Sequence, residues 1–168
     1  VSVNIPAETV YIGARAFGNC CSLKGTLIIP DKVRIIGDGA FVSCLYDRIL
    51  LGSSVEIIGD IAFAYCGNLK QLYFPSSIKV IGEYAIRDCN MLEYYWDEDD
   101  TVKYLGNAAN PYLVLCGISD YSKKEFTMRD ETAVIYAQAF SQYSTRERIN
   151  LSKNLKSIGY RSFYNCAS

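Results

Sequence analysis

The chain has 168 residues, half of them apolar, and its 17 Lys and Arg against 18 Asp and Glu leave a net charge of −1. That balance excludes a general attraction to nucleic acid or anionic lipid, and no apolar run approaches the roughly 18 residues of a membrane helix. Histidine is absent, which removes the usual general base, the usual metal ligand and any His-based triad.

From the N-terminus the residues show neither the basic start nor the apolar stretch of a secretory leader. A phrase then recurs: IGARAFGNC from Ile12, IGDGAFVSC from Ile36 and IGDIAFAYC from Ile58. Looser copies follow as IGEYAIRDC from Ile81, IYAQAFSQY from Ile135 and IGYRSFYNC from Ile158. Successive starts lie 24, 22, 23, 54 and 23 residues apart. A fixed period in the twenties predicts a solenoid whose coils bury their apolar sides only against one another. About six coils fill a single repeat domain over residues 1–168. The first coil lacks an upstream partner and the chain stops just after Cys166, so the expectation is an excerpt of a longer protein.

One repeat, Cys66 to Cys89, serves as the template. Leu72 and Phe74 alternate with Gln71 and Tyr73, the period of a strand with one buried face. Pro75 ends that strand because it has no N–H to donate. Gly82 falls where the chain turns tightly, and Ala85-Ile86 open a short helical or 3₁₀ segment. Phe17, Phe41, Phe63, Phe140 and Phe163 share the position of Ile86 and predict a ladder of rings through the core. Other inward strand pairs are Leu27 with Ile29, Ile49 with Leu51, Phe126 with Met128, and Ile149 with Leu151. A one-residue deletion in the fourth coil points Tyr94 and Trp96 inward. The strands are expected to run parallel, about 4.8 Å apart, as one face.

The period breaks between Ile81 and Ile135. Thr101 to Tyr112 partly mimics a repeat and reads as a degenerate coil. Alternatively, 103–105 and 112–115 are two short strands around the turn-rich stretch 106–111, and this hairpin reading is preferred. Such an insertion, at about 97–124, projects from the ribbon or patches one flank, either as a binding element or as a splint.

These repeats resemble the BspA-like (treponemal-type) leucine-rich repeats, whose unit reads roughly L-x-x-I-x-I-P-x-x-V-x-x-I-G-x-x-A-F-x-x-C. Leu23 to Cys44 and Leu69 to Cys89 match best. Departures stand at Tyr136 for Gly, Tyr143 for Cys, and Gly52 and Ser152 for Pro. Insertions of the type YLGN…NPYLVL also look like ones that interrupt repeats in this family. The resemblance implies an α/β repeat solenoid: a right-handed leucine-rich-repeat superhelix with a parallel strand face, short helical or 3₁₀ segments opposite, and a β-hairpin insertion. It also implies a cell-surface or secreted protein linked with adhesion and partner binding, and it carries over no catalytic residue.

Candidate chemistry is sparse. Cys20, Cys44, Cys66, Cys89 and Cys166 share one repeat position and predict a buried row of small apolar side chains. Their spacing fits no zinc site, and parallel side chains need to twist to reach disulfide geometry. Asp97 to Asp100 lacks the ligand order of a calcium loop and reads as a solvated approach to the insertion. No nucleophile elbow, S-x-x-K or phosphate loop occurs, so no catalytic residue, metal or cofactor is expected. Asn150-Leu151-Ser152 is a formal glycosylation sequon that carries meaning only in a eukaryotic protein.

What remains are outward strand positions in two columns. One holds Thr26, Arg48, Gln71, Glu93, Glu125 and Arg148; the other holds Ile28, Leu50, Tyr73, Tyr95, Thr127 and Asn150. Apolar and aromatic groups among charges of both signs suit a partner-binding surface, although strand propensity alone favours such residues. The expected binding residues are therefore Arg48, Leu50, Gln71, Tyr73, Glu93, Tyr95, Glu125, Thr127, Arg148 and Asn150. The partner is a protein or a glycan, with no nucleic acid and no membrane insertion. The competing expectation is a spacer that presents another domain and has no partner of its own.

Overall fold

The structure, a computed structural model, describes residues 2–122, 124–143 and 147–166. Two compact units form, Val1–Glu93 and Tyr94–Ser168. In the first, strands alternate between two-residue and longer pieces: β1 (Tyr11–Ile12), β2 (Lys24–Ile28), β3 (Ile35–Ile36), β4 (Leu45–Leu50), β5 (Ile57–Ile58), β6 (Gln71–Tyr73) and β7 (Val80–Ile81). They assemble into two all-parallel sheets, β1-β3-β5-β7 and β2-β4-β6, with one strand from each coil per rung. Parallel solenoid strands with the expected period are therefore present.

Helical or 3₁₀ segments are not: among the described residues there is no helix. The reason lies in how each I-G-x-x-A-F-x-x-C stretch spends its backbone N–H groups. In the first coil Arg15, Phe17 and Asn19 donate to the carbonyls of Asp38, Ala40 and Val42 one coil on, at 2.7–2.8 Å. Ala16, Gly18 and Cys20 between them donate back to Gly13, Arg15 and Phe17. A helix would keep every bond internal; here alternate bonds leave for the neighbour. That alternation needs a left-handed residue at the third and seventh positions after the Ile. Eleven non-glycine residues with φ between 49° and 65° sit there, from Arg15 and Asn19 to Arg161 and Asn165, and Gly39 fills the twelfth place.

The rings stack as expected. Phe41 lies parallel to Phe17 at 5.1 Å and to Phe63 at 5.7 Å between centroids, and Phe140 lies parallel to Phe163 at 5.0 Å. Leu27, Ile29, Ile49, Leu72, Phe74 and Met128 are buried. Leu51, Phe126 and Ile149 are only half-buried, and Leu151 is exposed.

The motif glycine has a packing role rather than a left-handed one. A Cβ on Gly82 would stand 2.5 Å from the Asp60 nitrogen, and one on Gly59 2.6 Å from the Asp38 nitrogen. Gly13, in the first coil, would meet nothing nearer than Tyr11 at 3.8 Å. The cysteine row is also tied to the previous coil. The Sγ–H of Cys44, Cys66 and Cys89 donates to the carbonyls of Phe17, Phe41 and Phe63 at 3.2–3.3 Å. Cys44, Cys66 and Cys89 are buried, while Cys20 and Cys166 are half-buried.

The second unit contains β8 (Tyr95–Trp96), β9 (Val102–Leu105), β10 (Val114–Ile118), β11 (Glu125–Thr127), β12 (Val134–Ile135), β13 (Arg148–Asn150) and β14 (Ser157–Ile158). The insertion is a hairpin: β9 and β10 pair antiparallel, with an irregularity between Leu115 and Gly117. It neither projects nor patches a flank. β10 is buried along its length and pairs parallel with β12, so the hairpin takes the place of a coil in the sheet β14-β12-β10-β9-β8.

One further strand changes the expected register. β8 pairs antiparallel with β9, Tyr95 opposite Tyr104 and Trp96 opposite Lys103. Trp96, expected inward, is exposed, and Tyr95, expected outward, packs half-buried against the core of Tyr104, Leu115, Phe140 and Tyr143.

Candidate binding surfaces

Strand pairing puts the expected surface residues of the first unit on consecutive rungs. Thr26, Arg48 and Gln71 face one another in turn, as do Ile28, Leu50 and Tyr73. Glu93 extends the first column: its N–H donates to Lys70 O at 2.8 Å, and its carboxylate accepts Gln71 Nε2 at 3.2 Å. Arg48 and Glu93 are exposed, Gln71, Leu50 and Tyr73 are half-exposed, and Ile28 is 63% exposed. The result is an apolar row of three side chains beside a row running from cation through amide to carboxylate.

In the second unit Glu125 pairs with Arg148 and Thr127 with Asn150, all four exposed. Asn150 Nδ2 donates to Thr127 Oγ1 at 3.1 Å, and neighbouring Lys124 and Glu147 pair at 2.8 Å. This surface is polar throughout. Tyr95, the fourth aromatic or apolar member expected, belongs to neither row because β8 leaves the parallel ladder.

The acidic run is solvent-exposed from Glu98 to Asp100, as a solvated approach to the insertion would be, while its first member is built into the fold. Asp97 Oδ1 accepts the N–H of Thr101 and Val102 at 2.6 and 2.9 Å, and Oδ2 accepts the Thr101 hydroxyl at 2.9 Å, fixing the entry to β9. Glu98 pairs with Arg129, which holds its carboxyl below the ordinary value. Among the described residues no group of three or more Cys, Asp or Glu converges as a metal site would require. Burial pushes the thiols of Cys44 and Cys116 up to about 12, so both are neutral and poor nucleophiles at pH 7.

A second surface was hidden in the sequence. On the sheet β1-β3-β5-β7, Tyr11, Ile35, Ile57 and Val80 pair in register and are 54%, 38%, 36% and 44% exposed. Each immediately precedes the buried Ile of an I-G pair, and two adjacent apolar residues read as one scaffold feature. Only the second of each pair is inside; a two-residue strand is too short to display the alternation that would have separated them. On the residue before each of the last three, Glu56 accepts Arg34 and Lys79, both at 3.1 Å.

Comparison with known proteins agrees with the repeat reading. The family described as the BspA type leucine-rich repeat region matches residues 1–112 and 119–168 as six copies. No curated protein matches the chain. Similar solved structures include a leucine-rich cell surface protein of Faecalibacterium prausnitzii, 25% identical with a TM-score of 0.46 over 92% of this chain and 42% of that one. A leucine-rich repeat protein of Bacteroides ovatus is 20% identical, TM-score 0.39, covering 96% of this chain and 63% of that one. The pneumococcal vaccine antigen PcpA is 18% identical, TM-score 0.40, covering 96% and 47%. The chain thus spans from 42% to 63% of the length of these relatives.

Proposed function

The chain belongs to the BspA-type leucine-rich repeat family, and from that premise we propose that it is a non-catalytic binding module of a cell-surface or secreted protein, of the adhesion type. The observation that carries this reading is the in-register row of exposed Ile28 and half-exposed Leu50 and Tyr73 beside Arg48, Gln71 and Glu93. Rigid β-rungs hold these side chains at fixed spacing, so little order remains to be imposed on binding. Tyr and Arg are the types that dominate interface energetics, and the mixed charges set register rather than raw affinity.

A protein partner suits this surface better than a glycan. With Tyr95 half-buried against the core, the row offers two aliphatic groups ending in one ring, which matches an apolar protein patch more closely than a run of sugar faces. The polar rungs Glu125, Thr127, Arg148 and Asn150 would contribute rim contacts. The test is a binding screen of the chain against host extracellular proteins and a glycan array, repeated with Tyr73→Ala and Leu50→Ala. Loss of a protein partner in both variants is the expected result. Binding unchanged by both would exclude the strand face, and no binding to anything would favour the spacer.

A further inference from the structure

The sheet β1-β3-β5-β7 carries the longest in-register exposed apolar row among the described residues, and its two flanks differ in charge. Tyr11, Ile35, Ile57 and Val80 stand on four consecutive rungs, which at about 4.8 Å per rung make a stripe about 14 Å long. On the N-terminal side of the stripe, Glu56 bridges Arg34 and Lys79, a triad with one cation in excess. On the C-terminal side, just past each glycine, come Asp38, Asp60 and Glu83.

Those carboxylates are stacked coil on coil. Asp38 Oδ1 accepts the Asp60 N–H at 2.9 Å, and Asp60 Oδ1 accepts the Glu83 N–H at 2.7 Å. Neither aspartate spends its second oxygen on a hydrogen bond, and none of the three groups joins an ion pair among the described residues. Like charges on adjacent strands repel. The repulsion is tolerated along one edge of an apolar row whose other edge carries a bridged triad of net positive charge. That asymmetry defines the complement: an apolar ridge with cations on one side only.

We infer that this stripe docks a basic amphipathic segment of a partner protein, its apolar side chains on Tyr11, Ile35, Ile57 and Val80 and its Lys or Arg over Asp38, Asp60 and Glu83. The surface belongs to a different sheet from β2-β4-β6, so it stands or falls apart from the strand-face reading. A second copy of this chain would bring its own Asp38, Asp60 and Glu83 to the interface along with Arg34 and Lys79, and it is kept as an outcome of the test below.

The test uses the whole chain and a fluorescein-labelled 18-residue peptide of Leu and Lys with one apolar helical face, compared by anisotropy with its Leu-Glu counterpart. The Lys peptide should bind at least tenfold more tightly, and added salt should weaken it. Ile35→Thr with Ile57→Thr keeps strand propensity and should cost at least tenfold in affinity. Asp38→Asn with Asp60→Asn keeps the Oδ1 acceptors and should remove most of the salt dependence. Tyr73→Ala should change nothing. Equal binding of the two peptides would overturn the proposal, as would indifference to the Ile35→Thr/Ile57→Thr pair or loss of binding in Tyr73→Ala. Self-association abolished by that same Ile pair, seen by sedimentation, would overturn it in favour of a second copy.

Discussion

The coil that begins at Ile81 and the coil that begins at Ile135 occupy equivalent places in the repeat but rest on different neighbours. Beneath the first lies another coil, whose backbone comes within 2.5 Å of where a Cβ on Gly82 would be and whose Phe63 carbonyl receives the Cys89 thiol. Beneath the second lies the hairpin strand β10, with Leu115 O accepting the Tyr136 N–H at 2.9 Å. No glycine turn crowds it, so Tyr136 is tolerated where Gly stands elsewhere. No phenylalanine carbonyl waits for a thiol either. Tyr143 is buried there, its hydroxyl donating to Asp120 O at 2.8 Å. The two departures from the repeat are thus one adaptation. Motif residues answer to what lies below them.

The largest expected test of this contrast is Tyr143→Cys, which restores the family residue. Because the ring is fully buried among Phe140, Tyr104 and Ile118, the change should destabilise the protein by about 3 kcal/mol in urea denaturation. A neutral or stabilising result would mean that the motif acts independently of its neighbour. Next comes the pair Gly82→Ala and Gly13→Ala. The first drives a methyl into backbone and should cost about 1–3 kcal/mol; the second should lie within about 0.5 kcal/mol of neutral. Similar effects at both sites would break the comparison. The smallest effect concerns Ile61, a β-branched residue at φ 49° where the preceding coil has Gly39. Ile61→Gly relieves a left-handed cost of about 1–2 kcal/mol but gives up some packing, so a net gain of about 0.5–1 kcal/mol is expected from the same measurement. A loss of stability would show that the packing of Ile61 outweighs its strain.

Much of the architecture was legible because Phe41, Cys66 and Leu72 repeat at a fixed interval, and identical surroundings demand identical side chains. The helices expected after each glycine were not there, for a reason the composition conceals. The left-handed positions hold Arg, Asn, Ser, Ile, Tyr, Asp and Gln, with only Gly39 as a cue, so nothing marks the alternating turns that replace a helix. Tyr95 and Trp96 were misplaced because an antiparallel strand entered at the point where the period gives no guidance. The candidate surface fared unevenly: Arg48, Leu50, Gln71, Tyr73 and Glu93 lie where the register puts them. The stripe through Ile35 and Ile57 escaped notice because its residues touch the most regular part of the motif.

The alternating N–H pattern of the turns also bears on how this chain can change in length. Phe17 N–H finds Ala40 O, and Phe41 N–H finds Ala62 O, through backbone atoms alone. Removing residues 37–58 would join Ile36 to Gly59 and offer Phe17 the carbonyl of Ala62 and the ring of Phe63 in place of those it lost. A cut of half that length would leave donors facing donors and set outward side chains into the core. Duplication and loss of coils are therefore quantised by the hydrogen bonding, one whole turn at a time. Only an element that can itself join the sheet, as β9 and β10 do, can be spliced in out of step.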